Sequence, residues 1–565
     1  MLRIAHHFRR WLPFLDWPRP TSATLIADAR AGVAVALVLV PQAVAYAVLA
    51  GMPPITGLYA ALLPAIVAVL WGSCRVIGTG PTAMSAMLVA GSLTGLATPA
   101  SADWVHLAIW LAIMSGLIQI LLGAFRLGSI VDLLSLPVVG AFTQAAAVLI
   151  LMSQVPSLLG LNAVQAAPPD ASWRETLQAV HWPSLVMGAG ALTFLLVFKR
   201  FSKRLPLVLI AGVICTVISA LIDFRALGGR VVGELPSGLP PLGLPRLPVW
   251  NDLRQLLPEA TVIALVSFIE ALGSARALSR ERGERWNGNQ ELIGQGLAKI
   301  SSGLSGGFPV GASFSRSALY QYSGAVSGWA AGVTAVLVAA SLLWLTPALV
   351  WVPMPFLAAV IIASVLNLVR PRWFIELWNA SRSEAAIAFV TLIATWVAAP
   401  QLQWGVLAGF ILALVHFIYK RATPRLIEVS AHPDGTLRDR QRFDLPRLAP
   451  DLLAVRMDAS LNFVTAPRLD LYIRQACEHD PGIRRVLLHC GPINDIDTTG
   501  VDTVRNLLAD LHRQGVQILF TSMKKQVEDR LQRAGILRTI PPDCIFATEA
   551  QAIRALRSPG PDPDT

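Results

Sequence analysis

The chain has 565 residues, of which 54% are hydrophobic and 14% are charged, whereas about 25% of the residues are charged in an average soluble domain. This composition excludes a disordered chain, a coiled coil and an ordinary soluble enzyme. The net charge of +11 could indicate a nucleic-acid partner, but excess Arg and Lys in a membrane protein usually mark cytoplasmic loops, so no nucleic acid is expected. The five cysteines lack the spacing of metal ligands, and we expect no metal, no cofactor and no disulfide framework.

Two compositional regimes divide the chain. Apolar runs separated by short basic or Gly/Pro-rich breaks fill residues 30 to 420, and charged residues become frequent after them. We therefore predict a transmembrane domain over 28–421 and a soluble domain over 430–558, followed by a disordered tail at 559–565. The amphipathic segment within 1–27 lacks a signal-peptide core, which favours a cytoplasmic helix at the membrane interface, in contact with lipid.

The apolar runs predict fourteen membrane spans. A spanning helix needs about 20 mostly apolar residues, and several of these runs are shorter than that. The predicted spans cover residues 31–50, 55–71, 82–97, 105–123, 130–155, 183–198, 206–222, 258–279, 290–306, 310–324, 328–346, 354–369, 384–399 and 404–419.

Basic residues predict the orientation of these spans. Several loops on one side, at 97–104, 346–354 and 399–404, contain no Arg or Lys. By the positive-inside rule the basic loops are cytoplasmic, so both termini and the soluble domain are expected in the cytoplasm, below the plasma membrane or a bacterial inner membrane. The basic residues of the alternate loops are Arg75, Arg126, Lys199, Arg200, Lys203, Arg204, Arg280, Arg282, Arg285, Arg370, Arg372, Lys420 and Arg421.

Two segments are poor candidates for a helix that crosses lipid alone. Residues 80–97 begin at Pro81 and have few large apolar side chains, and residues 306–324 are rich in Gly and Ser and contain Arg316. Broken helices at matching places in two halves of a chain mark transporter binding sites. Each half-helix would point unpaired N–H groups and a positive dipole end at an anion. Small residues would let the anion approach the backbone, although close helix packing is an alternative reason for them. These small residues are Thr82, Ala83, Gly311, Ala312 and Ser313.

A constant offset relates the two halves. Pro81 and Pro309 are 228 residues apart, and so are Gln42 and Glu270, which lie in the first and eighth predicted spans. Two inverted repeats of seven spans would produce such an offset. A proline in the first turn of each half-helix would be tolerated there, because its missing N–H would have no intrahelical partner anyway.

Two charged residues inside apolar runs are candidate site residues. Arg316 is expensive at membrane depth and is expected to face an anion, or alternatively to reach the membrane surface. Glu270 lies in an otherwise apolar run. A buried carboxylate can carry a proton at physiological pH, which predicts proton coupling or cation binding. The alternative is a structural pair with Arg276 or with another helix.

Other polar residues of the predicted spans have weaker claims to the site or structural roles. The amide of Gln42 could hydrogen-bond to an oxyanion, and Tyr46 lies one turn further along the same helix face. An interhelical contact is the alternative for both residues. Asn287 or Asn289 is expected to cap the ninth span, which is a structural role.

Long segments of the membrane region resemble the SulP family of anion transporters, the sulfate permeases related to pendrin and prestin. The resemblance rests on VPQAVAYAVLAGMPPITGLYAALLP at 40–64 and GTGPTAMSAMLVAG at 78–91. Residues 268–319 and VPMPFLAAVIIASVLNLV at 352–369 extend it over most of residues 30 to 420.

The resemblance implies an α-helical fold of seven plus seven inverted-repeat spans, divided into core and gate domains and assembled as a homodimer. It places the anion between the third and tenth spans, with the first and eighth contributing. Glu270 resembles the proton-coupled branch of the family more than the sodium-coupled one. The substrate-binding residues implied in this way are Gln42, Tyr46, Thr82, Ala83, Met84, Ala312, Ser313, Ser315 and Arg316.

The soluble region resembles the STAS domain, a small cytoplasmic α/β fold shared with anti-sigma-factor antagonists. Strand-like and helix-like segments alternate, and INDIDTTGVDTVRNLLADLHRQG carries the resemblance. Thr499 matches the place of the phosphorylatable hydroxyl of the antagonists, so a regulatory phosphate at this residue is one expectation. The alternative is that Asp497, Thr498 or Thr499 only caps the helix.

These observations predict a secondary active anion transporter, with proton-coupled sulfate uptake by an elevator-like movement as the favoured activity. Bicarbonate or C4-dicarboxylate transport, and an uncoupled exchanger or channel, are the alternatives. A sensor that signals through a cytoplasmic partner of the STAS domain is a third hypothesis. No triad spacing indicates an enzyme.

Overall fold

A computed structural model of the chain was analysed, and it describes residues 12–128, 135–161, 180–201 and 206–557. Most of the predicted N-terminal interfacial helix, the basic residues Lys203 and Arg204 and the tail at 559–565 therefore lie outside the described residues. The chain divides into two compact units, 1–413 and 414–565.

The first unit is a bundle of helices. Each of the fourteen predicted spans overlaps one helix, α1 to α12, α14 or α15. Six of the described helices are long and apolar enough to cross a membrane by themselves. The helices are α1 (Ser22–Leu49), α2 (Ile55–Trp71), α3 (Ala83–Leu93), α4 (Ala102–Ala124), α5 (Leu136–Leu159), α6 (Trp182–Phe201), α7 (Leu207–Leu221), α8 (Trp250–Arg282), α9 (Gly288–Leu304), α10 (Phe314–Tyr322), α11 (Trp329–Leu349), α12 (Met354–Val365), α13 (Pro371–Ala380), α14 (Arg382–Ala398) and α15 (Gln403–Ala422).

The order of elements repeats in the two halves of this unit. Two short strands, β1 (Thr79–Gly80) and β2 (Gly311–Ala312), precede the half-helices α3 and α10 and pair with each other in antiparallel orientation. Thus helix, helix, strand, half-helix and helix follow one another from α1 to α4 and again from α8 to α11. The strand pair places the starts of the two half-helices side by side.

Small residues bring the helices of this unit into close contact. A methyl group on Gly116 of α4 would lie 2.6 Å from the carbonyl oxygen of Gly296 on α9, and the reverse distance is also 2.6 Å. Because no Cβ fits between the two backbones, only glycine allows this approach. α9, held in this way against α4, also reaches the strand pair, because Gln295 of α9 donates to Thr79 Oγ1 of β1.

α1 begins at Ser22 with Thr21 as its cap, nine residues before the predicted span at 31–50. Two local expectations, both about prolines, need correction. The caps of α3 and α10 are Thr82 and Ser313. Pro81 therefore precedes the cap, and Pro309 lies before β2, so neither proline occupies the first helical turn. The caps accept N–H groups of that turn instead.

The second unit contains a six-stranded sheet. Its strand order is β4-β3-β5-β6-β7-β8; β3 pairs with β4 and β5 in antiparallel orientation, and β5 to β8 are parallel. Helices connect the parallel strands, as parallel pairing requires. The elements are β3 (Leu426–Ala431), β4 (Leu437–Asp439), β5 (Leu452–Met457), α16 (Ala466–His479), β6 (Arg485–His489), α17 (Thr498–Arg513), β7 (Gln517–Thr521), α18 (Lys525–Arg533), β8 (Ile545–Phe546) and α19 (Glu549–Leu556).

The turn before α17 is capped by Asp497. Its Oδ1 accepts the N–H of Gly500 at 2.8 Å, and its Oδ2 accepts the N–H of Phe463 at 2.9 Å. Thr499 is exposed in the first turn of α17. The cap is therefore the aspartate among the three residues considered, and the hydroxyl of Thr499 lies free of that role.

Candidate functional site

The starts of α3 and α10 form the centre of the candidate site. Thr82 Oγ1 accepts the N–H of Ser85 at 3.1 Å, and Ser313 Oγ accepts the N–H of Arg316 at 3.4 Å. Each cap satisfies one N–H of its helix. The N–H groups of the two residues after each cap have no acceptor among the described residues. These residues are Ala83, Met84, Phe314 and Ser315.

Arg316 is buried beside these helix starts. Only 2% of its surface is exposed, and Nη1 donates to the carbonyl oxygen of Pro81 at 2.8 Å. Its Nε and Nη2 atoms are buried without a partner. The side chain thus does not reach the membrane surface, and it carries unused donors at the junction of α3 and α10.

Glu270 lies on α8 next to strand β2. Its Oε2 is buried without a hydrogen-bond partner. A methyl group on Gly311 would lie 3.4 Å from this oxygen and 3.3 Å from Ser85 Oγ. The cations that act on the carboxylate are Lys299 and Arg316.

The predicted alternative, a pair between Glu270 and Arg276, receives no support from the geometry. The guanidinium of Arg276 lies over the ring of Trp286, with 5.0 Å between its Cζ atom and the ring centroid. Glu270 instead faces the site, where its unpartnered oxygen is available to a proton or a ligand.

Gln42 and Tyr46 face α12 from α1. Both are buried. Gln42 Nε2 donates to Ser364 Oγ at 3.3 Å. One amide N–H of Gln42 is left for an oxyanion, and its Oε1 is buried without a partner. The expected interhelical contact therefore exists, and it leaves donor capacity unused.

Other predicted residues lie in the same neighbourhood with different exposure. Ala312 is buried in β2 opposite Thr79, and Met84 is buried in α3. Ser315 is exposed, and its hydroxyl oxygen lies 3.1 Å from that of Ser313. Thr499 belongs to the second unit. Asn287 caps α9, as expected for one of the two asparagines.

A buried polar stripe on α9 was not found by sequence reasoning. Glu291, Gln295 and Lys299 recur every fourth residue and therefore share one helix face. Gln295 donates to Thr79 Oγ1 at 2.9 Å and to Glu291 Oε1 at 3.0 Å. Lys299 donates to Gln119 Oε1 at 2.9 Å. The four-residue spacing of these polar side chains was the one sequence feature that could have indicated the stripe. The small residues around them gave no sign that α9 is buried.

Comparison with protein families agrees with this geometry. Residues 25–391 match the model of the sulfate permease family, and residues 446–552 match the STAS domain. The chain belongs to the sulfate permease family. Members of this family are transporters and not enzymes, so the chain is an integral multi-pass membrane protein that transports anions.

Curated relatives match along nearly their whole length. The chain is 31% identical over 534 residues to the probable sulfate transporter Rv1739c of Mycobacterium tuberculosis (strain ATCC 25618 / H37Rv). The match covers 94% of this chain and 95% of that protein. It is 29% identical over 598 residues to the sodium-independent sulfate anion transporter of Bos taurus, which covers 98% and 93%.

Solved structures show the same fold. The murine anion transporter Slc26a9 superposes with a TM-score of 0.86 at 20% identity, covering 98% of this chain and 95% of that one. The transmembrane domain of the cyanobacterial bicarbonate transporter BicA gives a TM-score of 0.58 at 22% identity, covering 70% and 98%. The α-helical membrane fold with a C-terminal STAS domain is therefore confirmed.

Proposed function

We propose that this protein takes up sulfate together with protons as a secondary active transporter. The observation that carries the proposal is the buried, unpartnered Oε2 of Glu270 next to the paired starts of α3 and α10. Four free N–H groups and the unused donors of Arg316 supply an anion-binding surface. The carboxylate supplies a place for a proton within the same site.

Sulfate is favoured over other anions by the relatives. The names of relatives in Arabidopsis thaliana, Mycobacterium tuberculosis and Bos taurus describe sulfate transporters, and the bovine relative is named as sodium-independent. A proton is accordingly favoured over sodium as the coupling ion. Bicarbonate is the second candidate, because the name of the structural neighbour BicA describes a bicarbonate transporter; C4-dicarboxylates and uncoupled exchange are tested beside it.

An elevator-like movement accounts for the way in which the site is built. The β1–β2 pair and the bond from Arg316 to Pro81 join α3 to α10. The two halves of the anion site must therefore move together. We expect α3 and α10, together with α1, to slide past helices that include α12. This movement would break the hydrogen bond between Gln42 of α1 and Ser364 of α12.

The proposed membrane location, orientation and oligomeric state follow from the family resemblance and from the basic loops. We propose a plasma-membrane or bacterial inner-membrane location, cytoplasmic termini, a homodimer and a cytoplasmic partner of the STAS domain. We also propose the domain bounds predicted above, with a transmembrane domain at 28–421 after the N-terminal segment 1–27 and a STAS domain at 430–558. Strand β3 begins at Leu426, four residues before the proposed start of the STAS domain. Phosphorylation of Thr499 is the proposed regulatory event.

Uptake into proteoliposomes tests the proposed function. Labelled sulfate, bicarbonate and succinate are compared with and without an inward proton gradient in vesicles that contain the full chain. We expect sulfate uptake to rise with the gradient. Faster uptake of bicarbonate or succinate than of sulfate would contradict the substrate assignment, and sulfate uptake that ignores the gradient would contradict proton coupling.

A further inference from the structure

Lys299 is a buried cation that the proposed transport mechanism does not yet use. Its exposure is 0%, and its ammonium group has a single acceptor among the described residues, Gln119 Oε1. An ammonium group has three donors. A cation in an apolar interior is costly unless an opposite charge compensates it, so its retention here needs a reason.

The compensating charge is Glu270 of the candidate site. It is the charged group that acts on Lys299 among the described residues. Glu291, on the same face of α9, is occupied by the N–H groups of Ser73 and Cys74, at 3.0 Å each, and by Gln295. Lys299 therefore belongs electrostatically to the site around Glu270.

A chain of hydrogen bonds also joins Lys299 to the wall of the site. Gln119, which accepts from Lys299, donates through Nε2 to Ser267 Oγ at 3.2 Å and to the carbonyl oxygen of Ala264 at 2.6 Å. Ser267 lies one turn before Glu270 on α8. A methyl group on Gly311 would lie 3.6 Å from its Cβ. The ammonium group is thus linked through Gln119 to the helix that carries Glu270.

The charges near the site then follow a simple pattern. Arg316 and Lys299 are the two cations that act on the carboxylate of Glu270. With Glu270 ionised the three groups carry one net positive charge. With Glu270 protonated, the bound anion replaces it as the charge that compensates Lys299, and the two cations carry two positive charges. Without Lys299, the site with Glu270 protonated would carry only one positive charge, that of Arg316. A dianion such as sulfate is matched by the doubly positive arrangement.

We propose that Lys299 is a specificity-determining residue that sets the valence of the transported anion, so that the protonated site prefers a divalent to a monovalent oxyanion. The inference rests on the proposed function of sulfate uptake. Lys299 acts through its charge on an anion that it does not touch. Coulomb attraction is proportional to the charge of the anion, so removal of the cation weakens dianion binding more than monoanion binding.

The test is the ratio of sulfate affinity to nitrate affinity, measured by thermal stabilisation of the purified full-length protein at one fixed pH. We expect Lys299→Gln, which keeps a polar group opposite Gln119, to lower this ratio by about tenfold. Ser267→Ala is the matched control, because it cuts the same hydrogen-bond chain without altering charge; its ratio should stay at the wild-type value. Lys299→Met is measured in the same way if the glutamine variant does not fold.

A second comparison excludes the protonation of Glu270 as a variable. In the Glu270→Gln background the site has a fixed charge, and adding Lys299→Gln should again lower the ratio by about tenfold. An unchanged ratio in either background would overturn the assignment of Lys299, and so would an equal loss in Ser267→Ala. A wild-type protein that prefers nitrate to sulfate would instead overturn the proposed sulfate transport.

Discussion

Arg316 Nη1 donates to the carbonyl oxygen of Pro81 over 2.8 Å. The one basic residue of α10 is thereby bonded to the residue just before the cap of α3. This bond fixes the guanidinium between the two half-helices and leaves Nε and Nη2 without partners. A buried guanidinium with unused donors is well suited to a carboxylate-sized or sulfate-sized oxyanion.

Replacement of Arg316 should weaken recognition of the anion. We expect Arg316→Gln to lower sulfate affinity at least tenfold, because both the charge and the unused donors are lost. Sulfate-dependent thermal stabilisation measures this effect. Ser315→Ala keeps its backbone N–H and should weaken binding only a few-fold. Full retention of stabilisation in Arg316→Gln would move the anion site elsewhere.

A side chain at Gly311 should crowd Ser85 and Glu270. A Cβ at this position would lie 3.3 Å from Ser85 Oγ and 3.4 Å from Glu270 Oε2, so Gly311→Ala should reduce sulfate uptake severalfold by crowding the carboxylate. Gly190→Ala is the matched control, because no heavy atom lies within 4 Å of its added Cβ. Equal uptake by the two variants would show that the space beside Glu270 has no role in transport.

His489 should make the stability of the second unit depend on pH. It is buried at the end of β6, its Nδ1 has no partner, and Nε2 lies 3.4 Å from Glu549 Oε1. Burial lowers the pKa of His489, and Glu549 opposes this effect. The unfolded chain therefore binds a proton more readily, near pH 6.5, than the folded unit does.

It follows that His489 destabilises the folded unit as pH falls below about 6.5 and has no such effect at higher pH. Urea unfolding of a fragment covering 424–557, which contains its own hydrophobic core, measures the free energy of unfolding at pH 7 and pH 5. We expect His489→Gln to lose less stability between these values than the wild type. An identical loss in both proteins would refute the role of His489.

The spans could be predicted from the sequence because length and hydropathy decide them. Runs such as 55–71 coincide with α2, and the two weak segments became the half-helices α3 and α10. The β1–β2 pair could not be predicted, because strands of two residues have no periodicity. The caps Thr82 and Ser313 were expected only as small residues near an anion, since nothing in the sequence shows which residue begins a half-helix.

The candidate site was predicted in part. Charged residues within apolar runs, Glu270 and Arg316, stand out because burial there is costly. Lys299 does not stand out in the sequence, because small and polar residues surround it. Such a segment could form an amphipathic helix with the lysine on an exposed face. The partner of Gln42, Ser364, lies 322 residues away, and sequence patterns cannot supply contacts at that separation.

Sulfate uptake by Glu270→Gln tests the central claim most directly. Proteoliposomes with wild-type protein or this variant receive labelled sulfate at equal pH on both sides, or with the outside more acidic. We predict that the gradient accelerates uptake by the wild type several-fold and has no effect on the variant, which still binds sulfate. A variant that responds to the gradient as the wild type does would contradict the assignment of Glu270 as the proton-carrying residue.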